Sequence, residues 1–340
     1  MDMHLTSRPK ISVCMAAYNS APYIEQSIKS ILTQTFTDFE LIIVNDGSTD
    51  ATTQIINSFK DSRIHLIHND KNEGLVFTRN RLLNASAAEL IAVLDSDDIA
   101  YPERLEIQYK FMQSHPQISL CGGHANIIDK YGKYTGEQFT QPVADNYAFF
   151  MLFGSMFINS STMFRNSVFK QVGGYRDYAP AEDFDLFMRI AAVGQVKNLD
   201  HVLVKYRIHR NNISTLKREI QKENELRLIA NLHDHLNIVQ DDRLLSIHLE
   251  LFSRNYNKNH FEEYASLLKT LKFANRKSIQ YPIDGFEAFL FNKWIDIIND
   301  TNDGGVTLSH LFKKDIFRLT YITFKQLRRA FKKSLKMTFK

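Results

Sequence analysis

The chain has 340 residues, which is long for one compact domain and suits a domain of roughly 200 residues joined to an accessory region. Apolar residues make up 44% and charged residues 24%, a balance that excludes disordered, collagen-like and disulfide-framework classes. Cys14 and Cys121 fall in apolar stretches, so we expect buried free thiols and a reducing compartment. No stretch approaches the roughly 20 apolar residues of a membrane-spanning helix, and the N-terminus lacks a signal-peptide pattern. We therefore expect a cytoplasmic protein.

The first third of the sequence alternates short apolar runs with helical periods. The predicted strands are 11–17, 40–46, 64–69 and 89–98, and the predicted helices begin near Pro22, follow Asp50 as far as Phe59, and cover 75–87 and 102–114. The centres of the second and fourth strands are continuously apolar, which indicates strands buried on both faces. This pattern predicts an α/β fold: a Rossmann-like, mostly parallel sheet with helices on both faces.

The regularity loosens after the fourth helix. Residues 118–165 predict further strands and loops, 181–194 a helix that begins with acidic residues, and 196–209 a strand. Beyond that strand the sequence becomes charged, poor in glycine and helical in period. We therefore divide the chain into an α/β domain, 1–215, and a C-terminal helical region, 216–340.

Polar residues follow three of the predicted strands. Tyr18 and Asn19 follow the first, Asp46 ends the second, and Asp95-Ser96-Asp97-Asp98 ends the fourth. Ligands of doubly wound sheets bind beyond the carboxyl ends of the strands, so we expect these residues to share one rim. Gathered carboxylates repel one another, and a hard divalent cation that also holds a diphosphate relieves this repulsion. Ala16-Ala17-Tyr18-Asn19 stands where a dinucleotide fold needs G-x-G-x-x-G, which disfavours hydride transfer.

Seven segments carry a resemblance to a known family. They are SVCMAAYN (12–19), IIVNDGSTD (42–50), NEGLVFTRN (72–80), LDSDD (94–98), GGYRD (173–177), AEDFDLFMR (181–189) and YRIH (206–209). In this order and spacing they resemble the family 2 glycosyltransferases, which have the GT-A fold. The resemblance implies transfer of a sugar from a nucleoside-diphosphate sugar, with inversion at the anomeric carbon.

The resemblance also implies a donor site. Its residues are Ala17, Tyr18, Asp46, Arg79, Asp95 and Ser96. Asp46, in the family's Asp-Gly-Ser position, is expected at the nucleotide base, and Asp95 of the D-x-D motif near the ribose. Asn45 departs from the family, which often has a second aspartate there. The alternatives are that Asp46 is a turn residue and that Arg79 pairs with Glu73.

The metal site and the general base follow from the same resemblance. Asp97, the last residue of the D-x-D motif, is expected to bind Mn²⁺ or Mg²⁺. His209 is expected to complete the ligand set or contact the diphosphate, and a structural role is the alternative. Asp183 matches the general base, which takes a proton from the acceptor hydroxyl. Glu182 and Asp185 are rivals for that role, and a helix-cap role for Asp183 is the structural alternative.

The expected function is inverting transfer from a UDP-sugar to a glycan or lipid-linked glycan acceptor in surface polysaccharide biosynthesis, with no nucleic acid partner. A nucleotidyltransferase is one alternative, but residues 14–25 contain no glycine, lysine or arginine for its phosphate-binding loop. A non-catalytic sugar-nucleotide-binding module is another.

The C-terminal tail is basic, with ten Lys/Arg and one acid between Lys313 and Lys340. Its apolar residues recur every three or four positions: Phe317, Tyr321, Phe324, Leu327, Phe331 and Leu335. Such a helix suits the anionic inner face of the cytoplasmic membrane, which predicts peripheral docking through residues 316–340. The alternatives are packing on the chain's own helical region or on a second copy in a homodimer.

Overall fold

The computed structural model describes residues 8–142, 148–210, 212, 216–301, 316 and 318–338. Two compact units divide the chain: Met1–Ala148 with Ser155–Asn224, and Phe149–Gly154 with Glu225–Lys340. This division falls later than the boundary expected after residue 215. One reason is that the Asn224 side-chain amide donates a hydrogen bond to the backbone oxygen of Ala179 (2.9 Å), which ties Asn224 to the first unit.

The first unit is built on a nine-stranded sheet. Its strands are β1 (Ile11–Ala17), β2 (Phe39–Asp46), β3 (Ile64–Asn69), β4 (Leu90–Val93), β5 (Ile99–Ala100), β6 (Ile118–Ile128), β7 (Tyr134–Phe139), β8 (Met163–Arg165) and β9 (Gln195–Arg207). They lie in the order β3-β2-β1-β4-β8-β6-β9-β5, and β7 pairs with β6. β3, β2, β1 and β4 are parallel, as are β6 and β9, whereas β5, β7 and β8 run antiparallel to their neighbours.

Helices cover both faces of this sheet. Those of the first unit are α1 (Ile24–Leu32), α2 (Thr52–Ser58), α3 (Leu75–Ala85), α4 (Arg104–Ser114), α5 (Asn166–Val172) and α6 (Glu182–Val193). Successive residues of β1 point to opposite faces: Val13 shares a core with Ile28 of α1, whereas Cys14 lines a small cavity with Leu83 of α3. Cys14 and Cys121 are buried free thiols. The predicted α/β architecture is therefore confirmed.

The fourth strand is shorter than the sequence predicts. β4 ends at Val93, because the Asp98 N–H donates a hydrogen bond to the backbone oxygen of Asp95 (3.2 Å) and closes a tight turn. The chain therefore leaves the sheet before its aspartates. Since β1, β2 and β4 are parallel, this turn lies at the same edge of the sheet as the carboxyl ends of β1 and β2.

The second unit is helical. It contains residues 225–235 of α7 (Arg218–His235), together with α8 (Asp242–Phe252), α9 (Phe261–Ser278), α10 (Ile283–Thr301) and α11 (Phe324–Thr338). Trp294 of α10 is fully buried in an apolar core with Leu251 of α8 and Leu268 of α9. In the described part of the chain, no helix combines the length and apolar character needed to cross a membrane.

Candidate active site

Asp46, at the end of β2, fixes the loop that precedes α3. Its Oδ1 accepts hydrogen bonds from the Asn69 side-chain amide (2.7 Å) and the Glu73 N–H (2.8 Å), and its Oδ2 accepts one from the Gly74 N–H (3.0 Å). Gly74 has a φ of 91°, a conformation that glycine adopts without strain. Asp46 therefore joins β2, β3 and this loop, and Oδ2 keeps acceptor capacity for a ligand.

The loop after β1 is tied to the loop after β2. The Asn19 N–H donates a hydrogen bond to Ser48 Oγ (3.0 Å), and Asn19 Oδ1 accepts one from the Thr49 N–H (2.9 Å). Ala17 is buried at the end of β1, whereas the neighbouring Tyr18 is 47% exposed. The Tyr18 ring is thus open to solvent on a loop whose backbone is held in place.

Asp95 lies in the turn after β4 and is surrounded by hydrogen-bond donors. Its carboxylate accepts bonds from Arg79 Nη2 (3.1 Å), from the Asn159 side-chain amide (3.1 Å to each oxygen) and from Ser160 Oγ (3.1 Å). Ser160 Oγ also accepts the Asp95 N–H (3.2 Å). This shell fixes the Asp95 carboxylate in one orientation.

The Arg79 guanidinium bridges two carboxylates. It forms ion pairs with Asp95 (3.1 Å) and with Glu182 at the start of α6, and it lies over the Tyr175 ring. Arg79 is 8% exposed and Glu182 is 1% exposed. Burial alone would lower the pKa of Arg79, but the charges of Glu182 and Asp95 raise it well above its usual range. The alternative that Arg79 pairs with Glu73 is therefore wrong.

The three acids in the first turn of α6 have different partners. Glu182 forms the ion pair described above, and Asp185 accepts hydrogen bonds from Nε (2.9 Å) and Nη2 of Arg189. Among the described contacts, the Asp183 carboxylate accepts only the N–H of Phe184 (2.8 Å). Burial, followed by the neighbouring charge of Glu182, raises the pKa of Asp183 to about 7. Among the described contacts, Asp183 is thus the acid of this turn that has no cationic partner.

Asp97 and His209 meet across the rim. Asp97 Oδ2 lies 2.9 Å from His209 Nε2, and the Tyr23 ring stacks on the imidazole with 4.7 Å between the centroids. Arg207, which is fully buried, donates from Nε to the backbone oxygen of Asp97 (2.7 Å) and lies over the Tyr23 ring. The two predicted metal ligands are therefore side by side.

The neighbours of Asp97 in the turn are also held. Asp98 is 1% exposed; its Oδ1 accepts the Arg207 N–H (2.8 Å), whereas its Oδ2 accepts no hydrogen bond from the described residues. Burial, followed by the charge of Asp97, raises the pKa of Asp98 well above its usual range. Ser96 Oγ lies 2.7 Å from Ser20 Oγ, which links the turn to the segment after β1.

The side chains at this rim form two groups. We call Arg79, Asp95, Glu182 and Asp183 the arginine cluster, and Asp97, Asp98, Arg207 and His209 the histidine cluster. Both arise at the turn after β4, which contributes Asp95 to one and Asp97 with Asp98 to the other. The base-pocket candidates lie at the carboxyl ends of β1 and β2.

Comparison with known proteins assigns the chain to a family. The family model of Glycosyl transferase family 2 matches residues 12–173. EpsE of Bacillus subtilis, a putative glycosyltransferase, is 33% identical over 210 residues that cover 60% of this chain and 74% of EpsE. The chain belongs to glycosyl transferase family 2. The predicted family and glycosyltransferase activity are therefore confirmed.

Two further relatives of this glycosyltransferase extend the match. An uncharacterized glycosyltransferase of Haemophilus influenzae is 28% identical over 300 residues, covering 82% of this chain and 93% of the relative. WfaP of Escherichia coli, named a UDP-Glc:alpha-D-GlcNAc-diphosphoundecaprenol beta-1,3-glucosyltransferase, is 32% identical over 65% of this chain and 86% of WfaP. The family's relatives thus include an enzyme named for building a lipid-linked glycan.

Solved structures share the fold of this glycosyltransferase. S. aureus TarS 1–349, in complex with UDP-GlcNAc, superposes with a TM-score of 0.57 at 20% identity, over 86% of this chain and 81% of TarS. The mannosyltransferase PcManGT of Pyrobaculum calidifontis, in complex with GDP-Man and Mn²⁺, superposes with a TM-score of 0.55 at 17% identity. The match covers 84% of this chain and 80% of PcManGT. These matches confirm the GT-A architecture.

Sequence reasoning missed the residues that support the site of this glycosyltransferase. Asn159 and Ser160 orient Asp95, and Arg207 holds the backbone of Asp97. Two signals were present in the sequence: a polar Asn-Ser-Ser-Thr run (159–162) inside an apolar region, and an arginine that ends the strand β9. Neither signal identifies the residue that is contacted, because Asp95 and Asp97 are distant from these segments in the sequence.

Proposed function

We propose that this glycosyltransferase is metal-dependent and inverting, and that it transfers a hexosyl or N-acetylhexosaminyl group from a UDP-sugar to a hydroxyl of a glycan or lipid-linked glycan. The proposed process is surface polysaccharide biosynthesis. One observation carries the mechanism: among the described residues Asp183 forms none of the ion pairs that Glu182 and Asp185 form, and it follows Glu182, the partner of Arg79, in the chain.

The proposed base is Asp183. Its carboxylate takes the proton of the acceptor hydroxyl while that oxygen bonds to the anomeric carbon, and the bond from that carbon to the diphosphate breaks on the opposite face. The nucleoside diphosphate leaves with the bonding electron pair. A pKa of about 7 keeps a large fraction of Asp183 deprotonated at neutral pH and makes it a stronger base than an ordinary carboxylate.

The proposed donor site runs along the rim from Tyr18 to Arg79. The exposed Tyr18 ring suits stacking on the base, beside Ala17, and the free lone pairs of Asp46 Oδ2 suit a base or ribose donor. Asp95, oriented by its donor shell, is the proposed ribose contact, with Ser96 next to it. Support for UDP comes from the name of WfaP and from the UDP-GlcNAc complex of TarS.

The histidine cluster fits a divalent metal. It offers a carboxylate oxygen and an imidazole nitrogen 2.9 Å apart, and the buried Asp98 Oδ2 without a hydrogen bond lies in the same turn. In the described residues no group of three or more His, Cys, Asp and Glu side chains is arranged to hold a metal ion. Mg²⁺ and similar ions bind through one or two protein ligands, with phosphate oxygens and water filling the remaining positions. When bound, such an ion neutralises charge on the departing diphosphate. The Mn²⁺ complex of PcManGT supports this proposal.

A donor screen tests the proposal. UDP- and GDP-sugars are offered with Mn²⁺, with Mg²⁺ or with EDTA, and release of nucleoside diphosphate is measured beside calorimetric binding. We expect binding and release with one donor class only when metal is present. Asp97→Asn should lose metal-dependent binding, whereas Asp200→Asn, an exposed acid of β9, should retain it. Failure of every donor to bind with metal present would overturn the proposal, and normal binding by Asp97→Asn would overturn the role of Asp97.

A further inference from the structure

Helix α11 is attached to the second unit along one edge. Ala330 is fully buried and Leu327 is partly buried against the apolar core of that unit, and the Gln326 side-chain amide donates to Asn292 Oδ1 of α10 (3.4 Å). One face of this basic helix is therefore already occupied by the chain's own residues. Of the other predicted stripe residues, Phe317 and the side chain of Leu335 lie outside the described part.

A second edge of α11 presents aromatic rings to solvent. Phe324 is 81% exposed and Phe331 is 53% exposed. They are seven residues apart, so at 3.6 residues per turn they lie within about 20° of each other on the helix. Leu327 is turned about 60° away from Phe324, toward the core. The single apolar stripe expected from the sequence is thus divided between a packed edge and an exposed edge.

The exposed rings are bordered by positive charge. The exposed cations of the described turns are Lys325, Arg328, Arg329 and Lys332. The whole segment 324–338 contains six Lys/Arg and no acid. A second copy docked by the same face would bring its own four exposed cations of the described turns near these, so charge disfavours a dimer and favours an anionic surface.

We propose that α11 docks this chain on an anionic phospholipid bilayer, with the Phe324 and Phe331 rings in the interfacial region and the neighbouring cations at the lipid headgroups. Aromatic side chains beside lysine and arginine on one helix are the combination by which amphipathic helices bind a membrane surface. The proposal does not rest on the donor, the acceptor or the chemistry at the rim.

A buried ionic cluster holds the segment that leads into α11. Glu287 of α10, 1% exposed, pairs with Lys272 (3.3 Å) and Arg276 (2.6 Å) of α9 and with Arg318 (3.5 Å), and it accepts a hydrogen bond from the Tyr321 hydroxyl (3.2 Å). The start of the helix is therefore fixed before any membrane contact. A surface that is already ordered loses less conformational entropy on binding.

Vesicle co-sedimentation of the full chain tests the proposal. The vesicles are phosphatidylcholine alone and phosphatidylcholine with phosphatidylglycerol, at low and high salt. We expect wild type to bind the anionic vesicles at least tenfold more tightly than the neutral ones, and high salt to weaken this binding. The double variant Phe324→Ser/Phe331→Ser should lose at least tenfold in affinity, and Lys325→Gln/Lys332→Gln about fivefold for each cation removed.

A matched control distinguishes docking through α11 from nonspecific hydrophobic binding and from misfolding. Phe273→Ser removes an exposed aromatic ring (44% exposed) from α9 of the same unit, where Lys269 lies beside it, and it should bind as wild type does. All variants should melt as wild type by circular dichroism. Equal binding of wild type to both vesicle types, or equal binding by the control and both α11 double variants, would overturn the proposal. So would a dimer in sedimentation velocity that the α11 substitutions dissociate, without any vesicle binding.

Discussion

The arginine cluster and the histidine cluster neutralise their acids in different ways. In the first, the buried Arg79 guanidinium forms ion pairs with both Asp95 and Glu182. In the second, Arg207 gives its Nε and Nη1 hydrogen bonds to backbone carbonyl oxygens, while Asp97 contacts an imidazole and Asp98 a backbone N–H. In the arginine cluster the Asp95 and Glu182 carboxylates thus share a guanidinium partner, whereas among the described residues Asp97 has an imidazole partner and no ion pair with an arginine. Under the proposed mechanism, the first cluster would be a preformed scaffold for the base and the second a site that a metal completes.

The largest expected effect comes from removing Arg79, the cation of the arginine cluster. Arg79→Met leaves two carboxylates with no counter-charge, one of them buried, and we expect the free energy of unfolding of the first unit to fall by about 3–5 kcal/mol. Chemical denaturation measures it. Lys29→Met, which breaks an exposed pair with Glu25 on α1, should cost under about 0.5 kcal/mol. Adding Glu182→Gln to Arg79→Met should recover part of the loss; a loss near that of Lys29→Met would mean that the cluster is not a scaffold.

The next test concerns Asp183, which has no cationic partner among the described residues. Asp183→Asn should lower kcat by about 10²–10⁴-fold while the dissociation constant for UDP with metal stays unchanged, because a base acts on the acceptor and not on nucleotide binding. Single-turnover kinetics and calorimetry provide the two readouts. Asp185→Asn, which breaks the pair with Arg189, should instead lower thermal stability more than turnover. If the two variants exchange these phenotypes, Asp185 and not Asp183 is the base.

The fold was predictable where local pattern decides it. β1, β2, β3, α3, α4 and α6 follow from apolar runs and helical periods that need no distant partner. The end of β4 was not predictable from the sequence. The apolar run continues through Leu94, whereas the strand ends at a turn closed by a hydrogen bond from the Asp98 N–H to the backbone oxygen of Asp95. The short β5 and β8 exist only through pairing with β9 and with β4 and β6. Strands of two or three residues carry too little pattern to be recognised.

The candidate site was predictable in its residues but not in its pairings. The strand-end aspartates and the acids of α6 were found through position and family resemblance. The Arg79–Glu182 pair joins residues 103 positions apart, and the Asp97–His209 contact joins residues 112 apart. Such contacts depend on how α6 packs against the sheet and on the position of β9 within it. Periodicity within a segment holds no information about that packing.

A pH profile sharpens the role of Asp183 further. Because the base must be deprotonated and its pKa is about 7, kcat/KM should rise about tenfold per pH unit up to about pH 7 and then level off. The contribution of Asp183 to the free energy of unfolding should change in the opposite direction and fall as pH rises. A folded-state pKa above the unfolded value favours the native state at low pH, and this contribution is lost as pH rises from about 4 through 7. Asp183→Asn should remove that fall in stability, and a flat wild-type rate profile between pH 5 and 7 would contradict the assignment.

The smallest expected effect lies outside both clusters, at the proposed base pocket. Tyr18→Ala should weaken UDP binding by about 1 kcal/mol, roughly fivefold, because a stacked base loses its aromatic partner. The loop itself should stay in place, since it is held by Asn19, Ser48 and Thr49 and not by the ring. Calorimetry with UDP and metal measures the change, and Tyr134→Ala, which removes a ring of similar exposure from β7, should leave the affinity unchanged. Because Tyr18 belongs to neither cluster, its loss should leave metal dependence and the pH profile as they are; a change in either would mean that the nucleotide pocket and the two clusters are one coupled site.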